Sequence, residues 1–537
     1  MQAGNSPNQP SFFWRLVWIT LFCLVVATCL AIRLRLLGLP LERDEGEYAY
    51  AGQLMLDGIA PYKLAYNMKF PGTYAAYAVI MLIFGQTISG VHLGFILVNL
   101  GSVLLVLLLG RQLFGWNAGL AAGMSYAILS INPAMLGLSA HATHFVILPA
   151  LLGTLLLLRT EGAPNKLTIF VSGLLFGLAI LMKQPGIFFA IFGGFYLIYR
   201  EVKQKTRLAR LTGDILLYGS GVILPFAITC GLLRVVGTFD RFWFWTITYA
   251  RDYGSVVPLS LGVYLFAHNW LRVVDHLWLV WAIALLGLLG LIFNRHCRNE
   301  LLFLASFGFF SFLALSAGLY FRPHYFVLVL PFIALLVAAA VALIDTNHTQ
   351  RRWRPLVAAV TLVVALSIPL FTYGAIFFSL PAAAVCRRLY GANPFPEALK
   401  VAEFIKARGN TSDKIAILGS EPEIYFYAQR LSATGYIYMY AAMEPHPLAL
   451  EMQREIIRDI EEHQPRYLII TGVDMSWQWP VDGTVLQEWA DRYASEKYHP
   501  IGLVNIISRE ATDYYLPLTG DSAPVGQNYL LICERLY

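Results

Sequence analysis

The sequence predicts a mainly α-helical, polytopic membrane protein with a small α/β domain at its C-terminal end. Of its 537 residues, 58% are hydrophobic and only 13% are charged, whereas soluble proteins carry about 25% charged residues. The charge also changes along the chain, because residues 1–384 hold 25 basic and 13 acidic residues, whereas residues 385–537 hold 14 and 20. This composition excludes a soluble globular enzyme, a disordered tail protein and a typical nucleic-acid-binding protein.

Eleven apolar segments have the character of membrane spans. A further apolar stretch at residues 73–84 would rise only about 18 Å as a helix, whereas the hydrocarbon core is about 30 Å thick. Two of the eleven segments are short as well, so length alone does not decide whether residues 73–84 span the membrane. The eleven segments cover residues 14–33, 91–110, 118–138, 140–158, 167–182, 184–199, 213–235, 277–293, 300–320, 324–344 and 356–379.

The distribution of basic residues predicts the orientation of these spans. If residues 73–84 lie on the membrane surface or dip into it, thirteen basic residues fall in the loops of one side and only five in the later loops of the other. The positive-inside rule assigns the first side to the cytoplasm. We therefore expect a cytoplasmic N-terminus, external loops at 34–72 and 237–276, and an external C-terminal part. The thirteen basic residues are Arg111, Arg159, Lys166, Arg200, Lys203, Lys205, Arg207, Arg210, Arg295, Arg298, Arg351, Arg352 and Arg354.

We expect a transmembrane domain over residues 1–380 and an external α/β domain over residues 385–537. In the second, helical patterns cover residues 395–408, 422–429 and 448–463, and buried-strand patterns cover residues 414–419 and 467–471. Strands that alternate with helices predict a partly parallel sheet. Two cysteines of this part, Cys386 and Cys533, could form a disulfide if the domain is external, or remain free thiols.

Four carboxylates follow the first span, in the run Glu42-Arg43-Asp44-Glu45-Gly46-Glu47-Tyr48. One interpretation is a helix start, with Asp44 as the N-cap and Glu47 as its capping-box partner. A second, compatible interpretation is a general base held at the membrane surface. Sugar transfer requires such a base, because the acceptor must lose a proton as it attacks the anomeric carbon.

Lys69 stands directly before the short apolar stretch, at the depth expected for a lipid head group. It could be a lysine whose ammonium group snorkels to the membrane surface. It could equally neutralise an anionic lipid phosphate.

The run from Arg43 to residue 85, with Lys69-Phe70-Pro71 inside it, resembles the first external loop of C-type (GT-C) membrane glycosyltransferases. It is most similar to the bacterial family of aminoarabinose transferases and protein O-mannosyltransferase-like enzymes. By this resemblance Asp44 matches the catalytic aspartate and Glu45 its partner, while Lys69 matches the lysine that contacts the donor phosphate. Arg43 is a further candidate for substrate binding. Phe70 stands where the family has the first of two prolines.

Two later motifs resemble the same family. The turn Leu181-Met182-Lys183-Gln184-Pro185 resembles its lysine-containing turn between two spans, and Arg322-Pro323-His324-Tyr325-Phe326 resembles an Arg/His-Tyr motif that opens a late span. These residues are typical of interfacial anchors. The resemblance instead implies that Lys183, Arg322, His324 and Tyr325 surround the lipid phosphate.

The second external loop contains His141 and His144, and many relatives have an acidic residue in place of His144. Two histidines without a third ligand are weak evidence for a metal, so we expect hydrogen bonds to substrate or backbone. The loop at 237–276 is rich in aromatic residues, which stack on sugar rings but also mark membrane interfaces.

The resemblance implies an inverting glycosyltransferase of the bacterial inner membrane, with the GT-C fold and a polyprenyl-phosphate-linked sugar as donor. A lipid, glycan or protein would be the acceptor at the external face, and no metal or other cofactor would be required. The alternative is a transporter or flippase for a lipid-linked sugar, although the sequence shows no internal repeat. A sensor is a third interpretation, and the sequence shows no cytoplasmic output domain for it. No Walker A loop, HExxH motif or CxxC pair supports ATP-driven transport or zinc chemistry.

Overall fold

The computed structural model describes residues 12–159, 165–346, 354–478, 480, 483–519 and 525–536. Within these residues the chain is mainly helical, with one small sheet near its C-terminal end. It divides into two compact units, which are described separately. Unit 1 comprises Met1–Arg35, Phe95–Ile228 and Val257–Ser379, and unit 2 comprises Leu36–Gly94, Thr229–Val256 and Leu380–Tyr537. The first predicted external loop therefore groups with the C-terminal part, not with the rest of residues 1–380.

Sixteen α-helices precede residue 380 in the described part of the chain. They are α1 (Phe12–Arg35), α2 (Arg43–Leu56), α3 (Gly72–Phe84), α4 (Ile88–Phe114), α5 (Trp116–Leu129), α6 (Ala142–Arg159), α7 (Lys166–Met182), α8 (Gly186–Lys203), α9 (Leu208–Val235), α10 (Phe239–Trp243), α11 (Ala250–Gly254), α12 (Leu259–Val274), α13 (Trp278–Phe293), α14 (Arg298–Leu315), α15 (Leu330–Thr346) and α16 (Arg354–Thr372).

Each of the eleven predicted spans overlaps one of these helices. Among the residues that the structure describes, eight stretches are long and apolar enough to cross a membrane. They are α1, α4, α6, α9, the stretch from α12 through α13, α14, α15 and α16. The protein is thus a multi-pass membrane protein, while the full number of spans and their orientation stay predictions. Arg351 and Arg352, two of the basic residues behind the orientation, lie outside the described residues.

Three of the predicted spans are weaker candidates than the rest. Helix α7 has 17 residues and α8 carries three charged residues near its end. The span predicted at 118–138 is wrong in its length, because α5 ends at Leu129 and a 3₁₀ turn follows at Pro133–Met135. Pro133 explains this end, because it has no N–H to donate to the carbonyl oxygen of Leu129, four residues earlier, and its ring clashes with that carbonyl. Helix α3 has only 13 residues, which agrees with the exclusion of residues 73–84 from the spans.

Unit 1 is a bundle in which α5 packs on α1 and α15, and α7 packs on α6 and α8. Helices α7 and α9 approach closely because Gly173 and Gly177 lie one turn apart on α7. A Cβ at either glycine would collide with the backbone carbonyl of Tyr218 or Val222 on α9. This is the small-residue packing that membrane helices use in place of a hydrophobic driving force.

The C-terminal part of unit 2 forms a five-stranded mixed sheet flanked by helices. The strand order is β1-β2-β5-β3-β4, with β1 and β2 parallel and the other neighbours antiparallel. Both predicted strands and all three predicted helices are confirmed, whereas the last three strands were not predicted. The strands are β1 (Ile415–Leu418), β2 (Tyr467–Thr471), β3 (Tyr498–Ile506), β4 (Thr512–Tyr515) and β5 (Tyr529–Arg535), and the helices are α17 (Ala382–Tyr390), α18 (Phe395–Arg408), α19 (Pro422–Ala428), α20 (Tyr440–Met443), α21 (Ala449–His463) and α22 (Val485–Lys497).

Helix α2, in the first predicted external loop, connects that loop to the C-terminal part of unit 2 through its packing. It packs on α3 and on α19, and most of its residues are buried. Gly46 permits the approach of α19, because a Cβ there would lie 2.7 Å from the backbone nitrogen of Glu423. Cys386 and Cys533 are both buried, free thiols, so the second of the two cysteine interpretations describes this structure.

Candidate active site

The N-terminus of α2 determines which carboxylates are available for chemistry. Glu42 is the N-cap: its side chain accepts a bond from the backbone N–H of Glu45 at 3.0 Å, and Glu45 Oε2 accepts from the N–H of Glu42 at 3.3 Å. The capping box predicted for Asp44 and Glu47 is therefore wrong by two residues. The sequence contains two acidic pairs at the same spacing, 42/45 and 44/47, and the structure uses the first.

Asp44, Glu47 and Lys69 form what we call the carboxylate–lysine cluster. Asp44 and Glu47 lie three residues apart on α2, so their side chains share one face of the helix. Lys69 Nζ lies 2.7 Å from Asp44 Oδ1 and 2.6 Å from Glu47 Oε2. The two predicted site residues Asp44 and Lys69 thus meet across 25 positions of sequence, and Glu47 joins them.

Tyrosines surround this cluster. The Tyr74 hydroxyl donates to Glu47 Oε1, and the Tyr438 hydroxyl donates to Asp44 Oδ1 at 3.2 Å. The Lys69 ammonium lies over the rings of Tyr48 and Tyr438, 4.7 and 5.4 Å from their centroids, where the ring faces attract a cation. Tyr438 lies 394 positions from Asp44, so no local pattern could have predicted it.

The carboxyl groups of Asp44 and Glu47 differ in burial. The side chain of Glu47 is fully buried, whereas those of Asp44 and Lys69 are 19% and 14% exposed. Burial raises the pKa of Glu47, although the Lys69 ammonium opposes the change. Burial alone would lower the pKa of Lys69, but Asp44 and Glu47 outweigh it and raise that pKa, so the ammonium stays charged. Asp44 is the carboxylate of the cluster that a ligand can reach.

Glu45, the predicted catalytic partner, lies in a different setting. Its side chain is fully buried, and its Oε1 lies 3.2 Å from His92 Nε2 on α4. The other ring nitrogen of His92 lies 2.9 Å from the carbonyl oxygen of Leu37. Glu45 thus caps α2 and ties it to α4, which makes it a positioning residue by geometry.

Arg43 is also buried, and its guanidinium points to the C-terminal part of unit 2. It donates to the carbonyl oxygen of Ser420 at 2.5 Å and to Asn393 Oδ1 at 3.0 Å, and it lies 3.4 Å from Glu421 Oε1. Its ring contacts are with Phe395 and Tyr440. These contacts stabilise the fold around α2 and give no direct support to the predicted role in substrate binding.

In unit 1 the structure brings together residues of three predicted motifs. The rings of His141 and His324 stack with their centroids 4.2 Å apart, and Thr143 Oγ1 donates to the carbonyl oxygen of His324 at 3.0 Å. The Lys183 ammonium lies 3.9 Å from the centre of the Tyr325 ring. The loop before α6, the turn after α7 and the segment before α15 therefore converge.

Arg322 and His144 make other contacts. The Arg322 guanidinium lies 5.5 Å from the centre of the Tyr320 ring. His144 is buried with its ring against Phe95, at a centroid distance of 4.8 Å, and neither of its ring nitrogens has a hydrogen-bond partner within the described part of the chain. A hydrogen bond from His144 to the backbone is therefore not present there, and a hydrogen bond to substrate stays a prediction. Within unit 1, His141 and His324 would supply only half of the four ligands of a structural zinc site.

Residues 69–228 match the family described as dolichyl-phosphate-mannose-protein mannosyltransferase. No curated protein matches the chain by sequence. The structure of ArnT from Cupriavidus metallidurans bound to undecaprenyl phosphate has a TM-score of 0.56 to this chain, with 13% identity over 98% of each chain. Its apo structure has a TM-score of 0.56, with 14% identity over 96% of this chain and 98% of that one.

The archaeal oligosaccharyltransferase AglB from Archaeoglobus fulgidus, in complex with an inhibitory peptide and a dolichol-phosphate, is also similar. Its TM-score is 0.50, with 11% identity over 97% of this chain and 76% of that chain. The chain has the GT-C fold. The resemblance carried by residues 43–85 is thereby confirmed for the fold of the chain, and the family model matches residues 69–228.

Proposed function

We propose that this protein is an inverting glycosyltransferase that moves a sugar from a polyprenyl-phosphate-linked donor to a lipid, glycan or protein acceptor at the external face of a bacterial inner membrane. The observation that carries this proposal is the carboxylate–lysine cluster, in which one carboxylate and one ammonium are both partly accessible. A general base and a phosphate ligand are the two groups that such a transfer needs.

Asp44 is the proposed general base. It is the accessible carboxylate of the cluster, whereas the side chain of Glu47 is fully buried. The hydrogen bonds from Lys69 and Tyr438 hold its Oδ1 in one orientation, which restricts the carboxylate to one position for proton transfer. As the acceptor oxygen attacks the anomeric carbon, its proton passes to Asp44.

Lys69 is proposed to link the base to the donor. An ammonium group has three N–H donors, and Asp44 and Glu47 accept two of them. The third can donate to an oxygen of the donor phosphate, where the positive charge stabilises the leaving group. Glu47 and Tyr74 are then positioning residues that hold the ammonium in place.

The leaving group requires little further help. The bond between the anomeric carbon and the phosphate oxygen breaks with its electron pair on a phosphate that is already ionised, so the scheme requires no general acid. A glycosidase, by contrast, must protonate its leaving oxygen. Attack on the face opposite the phosphate inverts the anomeric centre, and the scheme calls for no metal.

The lipid-linked donor rests on the similar structures and the fold. ArnT and AglB were both captured with a polyprenyl phosphate carrier, and both have this fold. Lys183, Arg322, His324 and Tyr325, together with His141 and His144, stay predicted ligands of donor or substrate. The external position of the site rests on the charge pattern of the loops, and lipid-linked donors are available there after they are flipped across the membrane.

The proposal is tested with purified full-length protein in lipid vesicles, a labelled polyprenyl-phosphate sugar and membrane lipid acceptors. Transfer is expected for the wild type and should fall by roughly 10²–10⁴-fold in Asp44→Asn. Asp57→Asn, which changes an exposed aspartate at the end of α2, is the matched control and should keep its transfer rate.

The transporter alternative gives the opposite result in the same vesicles. Movement of the labelled lipid across the bilayer without transfer, unchanged by Asp44→Asn, would overturn the proposal. A reporter fused after residue 380 tests the orientation separately, and a cytoplasmic reporter would contradict the external face.

A further inference from the structure

A polar cavity lies in unit 1, at the end of the helices that the charge pattern predicts to face the cytoplasm. Its volume is about 480 Å³, and the ends of α4, α6 and α8 enclose it together with the first turn of α14. This volume is within the range of small-ligand sites. The residues that line it take no part in the proposed transfer, so a ligand bound here would have a role separate from that function.

The two cations at this cavity differ in how they are neutralised. Arg200 is buried, and its guanidinium donates to Glu201 Oε1 at 2.9 Å and to the carbonyl oxygen of Leu157 at 3.1 Å. It is therefore one half of a neutral pair. Lys203 donates to the neutral side chain of Asn299 at 2.7 Å and is exposed at the cavity, so its positive charge can attract an anion.

The cavity is also lined by an acidic residue, Glu300. Glu300, in the first turn of α14, has a buried Oε2 without a hydrogen-bond partner among the residues that the structure describes. A buried polar atom in that state is costly unless a ligand or a water satisfies it. Lys203 and Glu300 together offer one positive and one negative group in the same cavity.

A ligand that complements this pair carries a phosphate for Lys203 and an N–H-bearing cation for Glu300. We propose that the cavity binds the head group of phosphatidylethanolamine. Leu113, Leu158 and Phe303 line the cavity beside the polar groups, and they give the glycerol and the first methylenes of the acyl chains an apolar contact.

Two common phospholipids fit the same cavity less well. Phosphatidylglycerol has no cation, so its anionic head group meets Glu300 as a like charge. Phosphatidylcholine has a cation, but its quaternary ammonium has no N–H to donate to the Glu300 carboxylate. Selectivity for a primary ammonium over a quaternary one is thus the property that distinguishes this proposal from general attraction of lipids to basic residues.

The experiment titrates delipidated full-length protein in detergent with each of the three lipids and measures binding by native mass spectrometry. The wild type should bind phosphatidylethanolamine at least about tenfold more tightly than phosphatidylcholine, because the hydrogen bond goes to a charged group. N-methylated phosphatidylethanolamines should fall between them in order of their remaining N–H groups. Equal affinity across this series would overturn the proposal.

Two variants assign the selectivity to its residues. Glu300→Gln should weaken the preference for phosphatidylethanolamine severalfold, because its amide oxygen accepts a hydrogen bond without a negative charge. Asp275→Asn, which changes an exposed acid in unit 1, should leave the preference unchanged. Lys203→Gln should weaken the binding of all three lipids by about fivefold. Arg298→Gln, which changes an exposed neighbouring cation outside the cavity, should leave their binding unchanged. A preference as strong in Glu300→Gln as in the wild type would contradict the assignment, and the wild-type lipid series decides the question if that variant does not fold.

Discussion

Two clusters in unit 2 each combine one cation with two carboxyl groups, and they differ in exposure. The carboxylate–lysine cluster holds Lys69 between Asp44 and Glu47. The second, which we call the carboxylate–arginine cluster, consists of Arg43, Glu421 and Glu423. Both start from α2, and Arg43 and Asp44 are adjacent in sequence. Composition alone therefore does not distinguish them.

The two clusters differ in whether a ligand can reach their charged groups. In the carboxylate–arginine cluster, Glu421 and Glu423 are fully buried, and Glu421 also accepts bonds from Thr471 and Ser476. In the carboxylate–lysine cluster, Asp44 and Lys69 are partly exposed. Arg43 is thus occupied by contacts within the fold, whereas Lys69, at the edge of the fold, is available for chemistry.

Lys69→Met is expected to reduce both transfer and stability. It removes the proposed phosphate ligand, which should lower transfer by roughly 10²–10³-fold. It also leaves buried Glu47 without its cation, which should cost about 3–5 kcal/mol of stability. Transfer assays and Tm in detergent measure the two effects, with Lys63→Met, at an exposed lysine of the same loop, as control. Wild-type transfer in Lys69→Met would remove Lys69 from the proposed site.

Glu421→Gln should affect stability and leave the chemistry unchanged. The substitution neutralises the partner of the buried Arg43, so we expect a loss of about 3 kcal/mol, seen as a lower Tm. The transfer rate per folded molecule should equal that of the wild type. Glu451→Gln on the exposed face of α21 is the control. A specific loss of transfer in Glu421→Gln would show that the two clusters are not separate in function.

Glu47→Gln should reduce transfer by only about tenfold, because Asp44 still pairs with Lys69. Burial raises the pKa of Glu47, so the wild type should lose activity as pH falls through this raised value and the carboxylate becomes protonated. The amide of the variant cannot titrate. The acid limb of the pH profile of kcat/KM should therefore move to lower pH in Glu47→Gln, and an unchanged limb would assign it to another group.

Glu423→Gln should have the smallest effect, visible in the pH dependence of stability. Burial, with the neighbouring Glu421, raises the pKa of Glu423 well above its usual range. Above the unfolded pKa the folded state then binds more protons than the unfolded state, so this group lowers stability as pH rises, by at most about 1.4 kcal/mol per pH unit. The decline of Tm from pH 5 to pH 8 should be shallower in the variant than in the wild type. Equal slopes would show that Glu423 is ionised in the fold.

Local sequence predicted the elements of the fold well. The apolar segments, the strands at 415–418 and 467–471 and the helix at 395–408 follow from periodicity over short windows, and each is present. The predicted length of the span at 118–138 was wrong, because Pro133 ends the helix within an otherwise continuous apolar run. The last three strands of the sheet were not predicted. They are recognised from their pairing with one another and with β2, and such pairing between separate segments is not visible in a short window of sequence.

The candidate site divides in the same way. Asp44 and Lys69 were identified from the motif that carries the family resemblance, whereas Glu47, Tyr74 and Tyr438 were recognised only from their contacts. The sequence also assigned the capping box to Asp44 and Glu47, and two equal spacings made the choice between 42/45 and 44/47 undecidable from local pattern. Contacts with residues far along the chain, such as that between Tyr438 and Asp44, determine which acids remain for chemistry.

By itself the sequence determined that this is a membrane protein with an acidic α/β part, because composition and hydrophobic periodicity are local properties that a bilayer selects. It also determined which short loop carries the concentrated charges. Only the tertiary structure decided that Glu45 and Arg43 are buried in contacts between segments, while Asp44 and Lys69 stay partly accessible. Solvent exposure depends on packing between segments that are hundreds of residues apart, and no window of sequence contains that information.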